Sequence, residues 1–135
     1  MLQFSTTLRN NRINQVETTL GTGPRLRLYT GPAPVDCAAA DVGILLCDMA
    51  LPSDWLSTAA GGTKTKLGTW SGFGTVAAGV GTAAGHFRFK SGTTTHIQGN
   101  VTQTGGGGAM TIDNIRIVDG QPVTVTEFSI TDGNG

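Results

Sequence analysis

The sequence predicts a mainly β fold, an antiparallel β-sandwich or jelly-roll-like domain with one N-terminal α-helix. Three observations lead there. Apolar residues recur at helical spacing only within the first 24 positions; from Arg25 on they alternate with period two in short runs; and glycine, proline, asparagine and aspartate separate those runs. The chain has 135 residues, formal net charge zero, 13% charged side chains, 21 glycines and about as many threonines. That length suits a single domain, residues 25–135, with residues 1–24 as an N-terminal helix or arm. A neutral chain with so few cations lacks the footprint for binding phosphate backbones, so nucleic acid is not an expected partner.

Taking the elements in order, Phe4, Leu8, Val16 and Leu20 lie four or eight apart with Ile13 close to the same stripe, Ser5 stands at a capping position, and Gly21 or Gly23 can close the end. The polar face of this helix carries Arg9, Asn10, Arg12, Asn14 and Glu17, which makes a partner-binding arm one reading beside plain packing on its own domain. A strand begins at Arg25, with Leu26 and Leu28 on one face and Arg25, Arg27 and Tyr29 on the other. Residues 30–36 form a loop because Pro32 and Pro34 cannot donate to a ladder. Residues 43–51 read as a strand covered on both faces and stopped by Pro52. Trp55, just beyond, is expected to plug the core, and Lys64 and Lys66 alternate with threonines as in an edge strand guarded by lysines. Residues 68–81, rich in glycine around Trp70 and Phe73, read as loop with at most a short strand.

Residues 85–103 predict a hairpin with Phe87 and Phe89 on one face and His86, Arg88 and Lys90 on a solvated one. A three-residue loop at Ser91 to Thr93 would pair Phe87 with Ile97 and Arg88 with His96. Four consecutive glycines, 105–108, read as a flexible connector. The last two strands each switch apolar face once. A loop at Asp119 to Gln121 would pair Ile117 with Val123, Ile115 with Val125, Ile112 with Phe128 and Met110 with Ile130, so that both switches coincide near Thr126 and Glu127.

No catalytic constellation emerges. His86 and His96 have no carboxylate or third ligand in register, Ser71-Gly72-Phe73-Gly74 is no nucleophile elbow, and neither Thr22-Gly23-Pro24-Arg25 nor the glycine run is a phosphate loop. The tail Asp132-Gly133-Asn134-Gly135 lacks the oxygen ligands of a calcium loop. Neither an enzyme nor a cofactor is expected. Val42 to Leu51 is too short and too interrupted for a membrane span, the N-terminus has no secretory pattern, and Cys37 and Cys47 are expected to be free thiols.

The succession Leu8-Arg9-Asn10-Asn11-Arg12, Leu28-Tyr29-Thr30-Gly31-Pro32, Cys37-Ala38-Ala39-Ala40-Asp41, Leu51-Pro52-Ser53-Asp54-Trp55, Ala83-Ala84-Gly85-His86-Phe87-Arg88 and His96-Ile97-Gln98-Gly99 resembles a family of small proteins from tailed bacteriophages and prophages. The likeness runs over nearly the whole chain. It implies a virion component, assembled in the bacterial host cytoplasm. The expected role is a capsid decoration, or cement, protein that self-associates and binds the major capsid protein or another virion protein. A tail, neck or fibre-associated adaptor is the first alternative. A carbohydrate-binding module stacking sugars on Trp55, Trp70 or Tyr29 is the second. The resemblance supplies no active-site motif. Expected partner contacts are Arg9, Arg12, Pro32, Pro34, Trp55 and Trp70.

Overall fold

A computed structural model describes residues 1–133; the last two positions of the predicted frayed tail lie outside it. Helix α1 spans Thr6–Leu20, and the strands are β1 (Arg25–Tyr29), β2 (Leu45–Ala50), β3 (Thr63–Thr65), β4 (Ser71–Phe73), β5 (Val80–Ala83), β6 (His86–Ser91), β7 (Thr94–Gln103), β8 (Met110–Ile112), β9 (Arg116–Val118) and β10 (Pro122–Thr131). A 3-10 turn at Val76–Ala78 separates β4 from β5. The protein is mainly β with one helix near the N-terminus, and the main sheet is curled and mixed, running in the order β2-β1-β6-β7-β8-β10-β3. Strand β4 pairs with the start of β10, and an isolated bridge from Gly74 to Cys47 brings that end of the sheet back towards β2.

The helix begins where the sequence places it. Ser5 Oγ accepts the Leu8 amide, and Gly21, with φ of 77°, closes the end by donating to Glu17. Ile13 and Leu20 are buried, whereas Leu8 is exposed, so the apolar stripe is used only along part of its length. The predicted polar arm turns inward. Arg9 donates to the carbonyls of Asp132 and Gly61, the Asn10 side chain accepts the Gly62 amide, and Arg12 pairs with Asp132 at 3.1 Å. Lys64, read as a solvated edge guard, is instead 3% exposed beneath the helix, 2.6 Å from Glu17 and hydrogen-bonded to Asn14. The β3 edge is thus guarded by α1 rather than by lysines in water.

Inside the curl, Trp55, Trp70, Phe87, Phe89 and Phe128 form one aromatic cluster with ring centroids 5.0–6.0 Å apart. Each indole N–H has a partner, Gly21 for Trp55 and Leu67 for Trp70, so both rings are buried without an orphaned donor. Leu26, Leu28, Cys47 and Met49 supply the β1 and β2 layer of the same core.

Two registers differ from expectation. In the β6–β7 hairpin, Ser91 pairs with Thr94 around a two-residue turn, and a bulge after Phe89 shifts the ladder so that Phe89, not Phe87, faces Ile97 and Arg88 faces Gln98. His96 falls at the extra position, which is how a two-residue turn keeps the apolar faces in phase. At the C-terminus, β8 pairs with β10 through Ile112 opposite Val125 and Met110 opposite Phe128, with a bulge at Thr126 where the sequence places its phase switch. Strand β9 does not join that hairpin. It pairs with β5 in a separate two-stranded ribbon; the glycine-rich stretch holds the short strand the sequence allowed, β4, and a further strand, β5, begins at its end.

The four glycines are not a slack connector. They turn the chain within residues 104–109 so that β8 runs parallel to β7, a return that ordinarily needs a dozen residues or more. Gly106 and Gly108 lie against Thr102 so closely that a Cβ on either would stand 2.7 Å and 2.9 Å from its side chain. At the seam of the curl, Gly74 is equally constrained, since a Cβ there would lie 2.0 Å from the carbonyl oxygen of Val118. Gly74→Ala is expected to cost about 1–3 kcal/mol in urea unfolding; an unchanged midpoint would show that the sheet does not close through this contact.

Candidate functional site

The outer face of β1, β2 and β6 carries the densest polar chemistry in the molecule. Alternation places Arg25, Arg27 and Tyr29 of β1 opposite Lys90, Arg88 and His86 of β6, while Asp48 of β2 stands opposite Arg27 on its other side. Arg27 and Arg88 are therefore directly paired like charges, an arrangement that is destabilising unless a carboxylate intervenes. Asp41 supplies it from the loop of residues 30–44. Its carboxylate accepts from Arg88, from Lys90 at 2.8 Å and from the Tyr29 hydroxyl at 2.9 Å, with Arg27 4.0 Å away.

The loop is fastened to this face along its length. Thr30 and Ile44 close its neck by two hydrogen bonds, the Thr30 amide to the Ile44 carbonyl and the Ile44 amide to the Thr30 hydroxyl. The His86 ring nitrogen Nδ1 lies 2.8 Å from the Gly31 carbonyl, Gln98 donates to Pro34, and Arg88 donates to the carbonyls of Asp36, Cys37 and Ala39. His86 also stacks on Tyr29 with centroids 5.2 Å apart and planes 11° from parallel. His86, Arg88 and Lys90 are consequently buried, correcting the expectation of a solvated polar face, and only His96 is exposed. The period-two pattern identifies which residues share a face; it carries no sign that a loop some 45 residues upstream will cover it.

Partial burial works to raise the Asp41 pKa, but the hydrogen bonds from Lys90, Arg88 and Tyr29 outweigh it and hold the carboxyl at about 2, below its ordinary 3.8. Burial raises the Tyr29 phenol, and burial, helped by the neighbouring Asp48 charge, pushes the Cys47 thiol up to about 11. Cys37 and Cys47 are both free. Between the far side of the loop and the β6–β7 turn lies an open depression of about 730 Å³, lined by Arg27, Arg88, Lys90, Asp41 and the threonines after Gly92.

The six expected contact residues are scattered. Arg9 and Arg12 are tied into the fold as described, and Arg12 additionally covers the Phe4 ring at 4.7 Å. Pro32 is exposed and Pro34 half-buried on the fastened loop, beside Val35, which is 93% exposed. Trp55 and Trp70 are wholly buried and cannot meet a partner. With Tyr29 buried as well, none of the three rings offers a wet platform for a sugar. A second exposed apolar group surrounds the β5–β9 ribbon, where Phe73, Val76, Val118 and a fully exposed Val80 lie. Among the described residues no group of three or more His, Cys, Asp and Glu side chains is placed to hold a metal ion, and no helix is long and apolar enough to cross a membrane.

Asp41→Asn is expected to cost about 3 kcal/mol, because Arg88 and Lys90 would be left buried without their counter-charge. The sign of the pH effect follows from the depressed pKa. The stabilisation from Asp41 is complete above the ordinary carboxylate value near 3.8 and is lost as pH falls towards about 2. Unfolding titrations should therefore show an acid-side loss of stability over that interval that the Asn variant lacks. Comparison with family models, with curated proteins and with solved structures finds no match to this chain.

Proposed function

We propose that the chain is a structural protein of a tailed-bacteriophage virion, a capsid decoration protein that docks as a homo-oligomer on the major capsid protein or a neighbouring virion protein and stabilises the head shell. The observation that supports this reading is the fastened loop. Buried charge and at least seven side-chain hydrogen bonds hold residues 30–44 in one shape, yet Val35 and Pro32 point their apolar surface into water. A surface segment ordered in advance binds with less entropy lost, which suits docking. The sequence motifs resembling phage proteins lend the virion context.

Self-association has its own support in the β5–β9 ribbon. Strand β5 has a neighbour on one side only, and Val80–Ala83 carries no charge or proline to keep another edge away. The tail, neck or fibre adaptor differs in copy number rather than in chemistry.

In purified particles of the encoding phage, quantitative mass spectrometry should find on the order of hundreds of copies, as shell symmetry requires; a handful of copies would transfer the protein to the tail or neck, and none would end the virion reading. Val35→Asp should leave thermal stability unchanged while removing co-sedimentation with empty shells. Val80→Lys should shift the purified protein to monomer in sedimentation velocity, and a monomeric parent protein would refute the oligomer.

A further inference from the structure

We infer that the depression between the loop and the β6–β7 turn is a binding site for a carboxylate carried on an acidic peptide segment. Charge in a concave place carries this inference, independently of the virion reading. Three cations, Arg27, Arg88 and Lys90, line the depression, and Asp41 is the one carboxylate among its lining residues. Asp48, on the far side of Arg27, is shared with Arg25, 2.9 Å away, and Asp36 is turned into its own loop, where its carboxylate accepts the Ala39 amide. Counted together, the cations Arg25, Arg27, Arg88 and Lys90 exceed the carboxylates Asp36, Asp41 and Asp48 by one charge, and the excess lies on the lining.

The three cations are not equivalent. Arg88 is 1% exposed and spends its two terminal nitrogens on Asp41 and on loop carbonyls, so it sets the field without reaching a ligand. Lys90 makes one hydrogen bond, to Asp41, from an ammonium group that has three donors. Arg27 is about a third exposed; its Nε is buried against Asp48 at 3.3 Å, so it is the terminal nitrogens, one of them 4.0 Å from Asp41, that can meet a ligand. Lys90 and Arg27 are the groups with donors to spare, on ladder rows that are adjacent along the β1–β6 face. Each charge-assisted hydrogen bond to an anion tightens binding by about ten- to a hundredfold.

Shape favours a peptide over a bare ion. A volume of about 730 Å³ is far more than one oxyanion fills, and Ala38, Ala39, Ala40 and the threonines present methyl groups beside the cations, a wall suited to the aliphatic stem of a glutamate. A nucleic acid would need a row of cations along the surface, and the neutral 92–95 turn at the mouth provides none.

The test is a titration of the isotope-labelled full chain, followed by amide NMR, with a short capped peptide alternating glutamate and glycine. Two charge-assisted bonds set the expected dissociation constant between about 0.05 and about 5 mM. Shifts should be confined to residues 38–41 and 92–95, and affinity should fall about tenfold between low and high salt. Thr94→Asp, at an exposed turn position, places a negative charge at the mouth without disturbing the buried pairs and should weaken binding at least tenfold. Failure of the peptide to bind at millimolar concentration overturns the proposal, as does equal binding of the glutamine-glycine analogue. Unchanged affinity in Thr94→Asp would do the same. Inorganic phosphate or a single-stranded oligonucleotide binding as tightly at the same amides would overturn the assignment to a peptide carboxylate.

Discussion

Asp41 is the residue on which the outer half of the molecule depends. Strand pairing alone sets Arg27 against Arg88 with Lys90 in the next outward row, an arrangement that repels itself and that a bare sheet would leave to water. Insertion of one carboxylate from the loop turns that repulsion into a cluster of paired charges, and the rest follows. With Arg88 committed to Asp41, its remaining donors reach the loop carbonyls; with the loop down, His86 meets Gly31 and Gln98 meets Pro34. A buried ion pair is weak evidence for net stability, since apolar replacements of equal volume often do as well. What the charges supply here is choice: an apolar loop on an apolar face has many ways to lie, whereas a loop that must deliver a carboxylate to three cations has one.

The parts of this fold legible in the sequence are those governed by local periodicity and caps. Ser5 and Gly21 mark the helix ends, Leu26 and Leu28 mark the inward face of β1, and the phase change at Thr126 marks a real bulge, because each is a property of a few neighbouring residues. What pattern cannot carry is the identity of the covering element. His86, Arg88 and Lys90 have the alternation of a solvated face, and so does Lys64, yet each is largely covered by a segment distant in sequence. The missed β5–β9 pairing has a related cause. Val80–Ala83 contains too few large side chains to register as a strand, so the nearest candidate partner for β9 appeared to be β10. As for the candidate site, Asp41 carries no local signal of its partners, and it stands beyond the proline loop of residues 30–36 that the sequence predicts.

The buried ion pairs change what the composition means. A chain with 13% charged residues and zero net charge looks at first like one whose surface is merely bland. In the fold, much of that small complement is consumed internally. Arg9 is bonded to backbone carbonyls, Lys64 is paired with Glu17, and Arg88 and Lys90 share Asp41. The exterior carries threonine, glycine and exposed apolar side chains beside a thinned set of charges that includes Asp54, Asp113, Arg116, Asp119 and Glu127. Charged groups on edges and faces are the usual means of keeping folded proteins apart; a protein that spends many of its few charges on fixing its own loops weakens that separation.

Two different surfaces result, and their difference is physical. The β5–β9 ribbon presents a short strand edge with an exposed Val80, beside which Arg116 of β9 donates to the Gly81 carbonyl. The loop of residues 30–44 presents Val35 and Pro32 on one side and a cationic depression on the other, held at fixed separation by the Asp41 cluster. An apolar contact is non-directional and a charged one is directional. A partner that satisfies both across a loop that cannot adjust must match their spacing as well as their chemistry. Rigidity would thereby make two weak contacts a selective one, and it is the buried Arg88, bonded to Asp41 and to three loop carbonyls, that holds the loop in place.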